Sequence, residues 1–242
     1  MLHGSGAGAS TIGNFGRVIK PLAKRYKILA ADLIGFGLSG RNPHEPFFDM
    51  DMWVDQADFL AQRLSKGGIG YIGHSLSGAI GLKLAAKTPW IAKILTTGTM
   101  GVQFEAVGGS GGWRYPETRD ALRRFMETTV FDPKCIKDED VMARLKLLAQ
   151  HGYRDYFTKI FRMPRQHYID LSVVSESELA SIKCDVTLMS GANDTGFTPE
   201  NSSLALADAL PQADVVIFNR CAHSVAFEYP EKFVRVCETF FG

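Results

Sequence analysis

The segment Gly70-Tyr71-Ile72-Gly73-His74-Ser75-Leu76-Ser77-Gly78 constrains this chain more than any other. A short apolar run leads into it and a helical pattern begins just beyond Ser75, so the serine falls on a tight strand-to-helix turn. Such a turn exposes the hydroxyl and aims the first amides of a helix at the reacting group. A serine hydroxyl is a poor nucleophile unless a base takes its proton and paired donors receive the oxyanion. The turn needs small residues two before and two after the serine. Gly73 meets the first need fully; Ser77 meets the second less well, because glycine is the usual choice there. Alone, the segment fits both a catalytic turn and ordinary glycine-serine punctuation.

Two downstream segments supply what the serine lacks. Val186-Thr187-Leu188-Met189-Ser190 reads as a buried strand, which places Asp194 in the loop just past its end. Val215-Val216-Ile217-Phe218 reads as another strand, with His223 just past it. Either residue alone has an ordinary reading, as a turn or cap aspartate and as a polar loop histidine. Together, the order Ser75, Asp194, His223, each after an apolar run, resembles the α/β-hydrolase arrangement of nucleophile, acid and base.

The N-terminal segment resembles the oxyanion side of the same fold. Leu2-His3-Gly4-Ser5-Gly6-Ala7-Gly8 looks like the His-Gly loop that follows its third strand, and Asp32-Leu33-Ile34-Gly35-Phe36-Gly37-Leu38-Ser39 like its next turn. The backbone amides of Ser5 and Leu76 are then the expected oxyanion donors. The alternative is a flexible glycine-rich terminus. Within the superfamily the chain is most similar to the meta-cleavage product hydrolases, which cleave a carbon–carbon bond in 2-hydroxy-6-oxo-2,4-dienoates. The similarity runs through His3 to Gly8, Asn14 and Arg17, Phe125 to Pro133 with Ala143-Arg144-Leu145, Gly191 to Pro199, and Ala222 to Phe233. It implies that Asn14 and Arg144 hold the substrate's carboxylate and enol oxygens. Three positions depart from the family pattern: His74 replaces the usual asparagine, Ser224 a tryptophan and Ala222 a common glycine. The resemblance also implies that the first two to three strands of the fold are absent ahead of His3, which reads as a truncated start.

The residues themselves leave three roles open. Arg144 lies mid-helix among Val141, Leu145 and Leu148, either as a solvated surface arginine or as a carboxylate clamp above Ser75. Asn14 is either a helix cap or a substrate contact. His74 either touches substrate or fills the turn.

Strands alternate with helical patterns, which implies a mostly parallel sheet with helices on both faces. Strands are expected at Lys27–Leu33, Ile69–Ile72 and Ala92–Thr97, and around Asp185 and Val215. Helices are expected at Met52–Leu64, Gly78–Lys87 and Pro230–Phe240. Between residues 101 and 182 only helical patterns occur, at Arg119–Thr129, Asp138–Gln150 and Tyr153–Phe161, with a flexible glycine stretch at 108–112. This block reads as a helical lid between core parts 1–100 and 183–242; lids of this kind exclude water and set selectivity.

Bulk properties narrow the classes. A chain of 242 residues is ample for one large core with a small insertion. Net charge is +1, from 27 basic and 26 acidic side chains without a dense basic run, so nothing favours nucleic acid or an anionic membrane. No stretch approaches the length of a membrane span. The four cysteines show no Cys-x-x-Cys spacing and no zinc pattern with the six histidines. They read as reduced thiols of a cytoplasmic protein needing no metal or cofactor; Cys221, two residues from His223, reads as a small buried filler or a reactive thiol. The expected partner is a small-molecule substrate, with homo-oligomerisation open. The leading expectation is a serine-dependent carbon–carbon hydrolase. The alternatives are a small-ester carboxylesterase and a non-catalytic binding protein, or inactive short form, on a hydrolase scaffold.

Overall fold

Four short apolar runs carry the architecture. In the computed structural model, which describes residues 1–64, 68–106 and 111–242, they form parallel strands β1 (Ile69–His74), β2 (Ile91–Thr97), β3 (Asp185–Gly191) and β4 (Ala213–Phe218). Their spatial order is β1-β2-β3-β4. Leu2 adds single parallel bridges to Gly73 and to Ala31 beside β1.

The helices are α1 (Thr11–Leu22), α2 (Met50–Leu64), α3 (Leu76–Lys87), α4 (Arg119–Glu127), α5 (Asp138–Leu148) and α6 (Tyr153–Ile160), then α7 (Arg165–Leu171), α8 (Glu176–Ser181), α9 (Ser203–Ala209), α10 (Val225–Glu228) and α11 (Pro230–Phe241). Successive strand residues point to opposite faces, so each strand feeds two cores. On one face Ile72, Leu95, Met189 and Phe218 pack with Phe15, Val18 and Leu22 of α1 and Phe233 and Cys237 of α11. On the other, Tyr71, Ile94, Val186 and Leu188 pack with Val54 and Ala57 of α2 and Ile80 and Leu84 of α3. Each fully buried Leu, Ile or Phe contributes about 1.5–3 kcal/mol, so this double burial holds the strand ends, and the loops leaving them, in fixed register.

One sequence expectation needs correction, and one of the two open readings of Asn14 falls away. Lys27–Leu33 is not a strand: this run makes only the single bridge at Ala31, and the Asp32 carboxylate beyond it accepts from Thr11 N and Leu38 N as a turn organiser. Asn14 is not a helix cap; Ser10 caps α1, its Oγ accepting from Gly13 N at 3.1 Å, and Asn14 lies one turn inside. Helices α1, α7, α8, α9 and α10 had no separate expectation. Of the glycine stretch at 108–112, residues 108–110 lie outside the described residues.

Candidate active site

The turn at Ser75 has the strain its sequence implies. Ser75 adopts φ 55° and ψ −116°, one of two non-glycine residues with positive φ among those described. Such a conformation costs on the order of 1–3 kcal/mol and persists only where its surroundings enforce it. Here β1 and α3 hold its two sides. A Cβ on Gly73 would stand 2.3 Å from the Ser77 carbonyl oxygen, so only glycine fits there. Ser77 can replace the usual glycine because its hydroxyl donates to the His3 carbonyl at 2.5 Å, tying the turn to the N-terminal loop. The close approach falls instead on Gly78, whose Cβ would meet the Thr99 side chain at 2.4 Å.

The three expected partners meet at one end of the sheet. Asp194 follows β3 and His223 follows β4, and Oδ2 of Asp194 lies 2.6 Å from Nδ1 of His223. The other carboxylate oxygen accepts from the amides of Gly196 and Phe197 at 2.9 and 3.0 Å. Burial alone would raise the Asp194 pKa, but His223 and these hydrogen bonds outweigh it and hold the carboxyl below the usual range. Phe197 stacks on the His223 ring with centroids 5.3 Å apart. His223 and Ser75 line one cavity of about 310 Å³, and the Ser75 hydroxyl makes no hydrogen bond among the described residues.

The N-terminal loop is anchored rather than free. Leu33 N donates to Nε2 of His3 at 3.0 Å, which puts the His3 proton on Nδ1, where the Gly4 carbonyl accepts it at 2.5 Å. Burial lowers the His3 pKa to about 4, so the ring is neutral at pH 7. Asn14 Oδ1 accepts from Gly4 N at 3.2 Å. Ser5 and Leu76 are buried, and neither backbone amide donates to an acceptor among the described residues. Two vacant donors beside a serine turn suit a developing oxyanion.

Arg144 lines the same cavity. Its Nε donates to the Ala7 carbonyl at 2.7 Å and its guanidinium sits 5.2 Å from the Phe125 ring centroid. Desolvation lowers its pKa only to about 10, leaving it charged at pH 7. No carboxylate lies within ion-pair distance of it among the described residues. The surface-arginine alternative is therefore set aside. His74 is buried beside Ser75, with Nδ1 2.9 Å from Thr97 Oγ1 and its ring 4.6 Å from that of His223. Burial, then the neighbouring His223, push its pKa well below the ordinary value, so His74 is neutral.

Sequence reasoning missed several cavity residues. Trp113 donates its indole N–H to Ser5 Oγ at 2.8 Å; Arg165 donates to the Gly196 carbonyl at 2.9 Å and lies over Phe197. Both come from the segment between β2 and β3, and no local spacing marked either. Sequence reasoning also missed Gly98, which packs against the catalytic-loop histidine rather than lining the cavity: with φ +52° it lies so close to His223 that a Cβ would stand 2.7 Å from Nδ1. Among the described residues no group of His, Cys, Asp and Glu side chains could hold a metal ion.

The Alpha/beta hydrolase family model matches residues 1–236. The chain belongs to the α/β-hydrolase family. It is 27% identical over 242 residues to a Pseudomonas putida 2-hydroxy-6-oxo-2,4-heptadienoate hydrolase, covering 99% of this chain and 87% of that one. Identity to a 2-hydroxymuconate semialdehyde hydrolase of a Pseudomonas species is 29% over 242 residues, 99% of this chain and 85% of the relative. Among solved structures, a meta-cleavage product hydrolase from Pseudomonas fluorescens superposes with TM-score 0.91 at 26% identity, covering 99% of this chain and 88% of that one. A serine hydrolase from the polyaromatic-hydrocarbon-degrading Cycloclasticus zankles gives TM-score 0.90 at 28% identity, with 99% and 88% covered. In this α/β-hydrolase, no helix among the described residues is long and apolar enough to cross a membrane.

Proposed function

We propose that this α/β-hydrolase cleaves a carbon–carbon bond in a 2-hydroxy-6-oxo-2,4-dienoate, with Ser75 as nucleophile, His223 as base and Asp194 as its orienting acid. His223 takes the Ser75 proton as Oγ attacks the 6-oxo carbon, and the amides of Ser5 and Leu76 receive the oxyanion. Collapse breaks the bond to the dienoate carbon; the dienoate fragment leaves with the electron pair and is protonated by the His223 imidazolium, which returns the histidine to its neutral form. Water, deprotonated by His223, then hydrolyses the acyl-serine to a carboxylic acid. A carbon leaving group needs its charge delocalised. The 2-hydroxyl proton therefore moves to C5 before attack, and from that 2-oxo tautomer the electron pair left at C5 delocalises onto the 2-oxygen beside the carboxylate. A cation at that end therefore favours departure.

The observation that carries the substrate class is Arg144: a charged guanidinium in the same cavity as Ser75, whose Nε donates to the Ala7 carbonyl and which faces no carboxylate among the described residues. The names of the relatives point the same way. Asn14 and His74 complete the proposed substrate contacts. We assign residues 101–182, which carry Trp113, Phe125 and Arg144, as the lid, between core parts 1–100 and 183–242. The four free cysteines and the small-molecule cavity fit a cytoplasmic catabolic enzyme. The test is turnover of a 2-hydroxy-6-oxo-2,4-dienoate beside a p-nitrophenyl ester of a short acid. Cleavage of the dienoate supports the reading. Ester cleavage alone makes the protein a carboxylesterase, and binding without turnover of either makes it a ligand-binding scaffold.

A further inference from the structure

The backbone on either side of His223 is fastened to one short stretch of the lid. On one side, Ser224 N donates to the Thr129 carbonyl at 3.1 Å. On the other, Ala222 N donates to Glu228 Oε1 at 2.8 Å, while Phe131 N donates to Glu228 Oε2 at 2.6 Å. The Cys221 thiol also lies 3.4 Å from Oε1. Glu228 ends α10, the short helix that starts right after the histidine loop. Between the bridged lid positions, Val130 is buried in the main core, and Thr129 and Ser224 line the cavity beside His223.

A carboxylate is the group this junction needs. Two backbone amides, from two separate segments, point at one side chain, and only a group with two acceptor oxygens satisfies both. Glutamine offers one oxygen and turns an N–H₂ towards the other amide. A salt-bridge role does not explain Glu228, because no cation lies within ion-pair distance of it among the described residues. Arg17 makes a separate tie farther from His223, donating to the carbonyls of Phe227 and Cys135 at 2.9 and 3.0 Å.

We infer that Glu228 is a positioning residue that locks lid residues 129–131 to the histidine loop, so that His223 is aligned when this stretch is seated over the cavity. The inference rests on the reading of His223 as the base. A displacement of about 1 Å at a general base costs on the order of 100-fold in rate. Substrate binding, which uses other groups, changes little.

The test uses the full chain and the variants Glu228→Gln and Glu228→Ala. Expected for the glutamine variant is a fall in kcat of about 10- to 100-fold with KM changed less than about threefold. Amide hydrogen exchange at Phe131 and Ala222 is expected to accelerate together in that variant. In the parent chain both amides are expected to be protected to a similar degree, a measurement that needs no variant to fold. Unprotected or unequally protected parent amides would overturn the inference. So would an unchanged kcat per folded molecule, even with a lower melting temperature. Replacement of His223 by alanine separates the two claims: normal turnover there rejects the base assignment, while the exchange data still report on the lock.

Discussion

Nδ1 of His223 lies 2.6 Å from Oδ2 of Asp194, and the other oxygen of that carboxylate is held by two backbone amides of its own loop. The carboxylate is therefore fixed before it fixes the imidazole. Asp194→Asn keeps the shape and removes the charge, so the ring loses its preferred tautomer and its stabilised imidazolium. A fall in kcat of about 10³- to 10⁴-fold is expected, read from steady-state kinetics.

The same carboxylate makes stability depend on pH. Its folded pKa lies below its unfolded value of about 3.9, so its contribution is present above pH ~4 and lost as pH falls through the folded pKa. Urea midpoints at pH 7 and pH 3 should differ less in Asp194→Asn than in the parent. An equal difference in both proteins would show that Asp194 is not a source of acid sensitivity.

Gly98 sets the seat of the histidine. Its φ of +52° disfavours a side chain, and a Cβ would stand 2.7 Å from His223 Nδ1. Gly98→Ala should therefore lower kcat by about 100-fold while KM moves little, because the ring must shift away from Asp194. Kinetics of the purified variant check this, with its melting temperature as the control for folding.

Gly73 tests the turn itself. The Cβ of Gly73→Ala would meet the Ser77 carbonyl oxygen at 2.3 Å, a backbone atom that cannot swing aside. A loss of about 1–3 kcal/mol is expected from overpacking, measured by urea unfolding.

How far the sequence reaches follows from where each signal lies. Ser75, Asp194 and His223 each follow a continuous apolar run, so strand ends could be read and the loops beyond them placed. Helices α4, α5 and α6 were legible through their apolar spacing and, for α5, through the acids at Asp138, Glu139 and Asp140 that open it. Helix α1 was not, because Gly13, Gly16 and Pro21 dilute its pattern, although Ser10 caps it. The run at 27–33 had strand-like residues but finds a partner only at Ala31. Trp113 and Arg165 reach the cavity through tertiary folding, and Glu228 acts through backbone amides that no side-chain pattern reveals.

The proposed clamp role of Arg144 can be tested through substrate class. A charge-assisted contact to a carboxylate contributes roughly 1.5–3 kcal/mol. Arg144→Ala should then lower kcat/KM for a carboxylated dienoate by about 10- to 150-fold and leave a neutral ester almost untouched. Equal losses on the two substrates, assayed side by side, would remove the carboxylate-clamp role.

The most direct measurement is turnover by Ser75→Ala beside the parent, with substrate binding followed separately by equilibrium titration. The account predicts a loss of about 10⁴-fold or more in kcat with binding largely intact, because the nucleophile alone is removed. Near-normal turnover of the dienoate in that variant would contradict it.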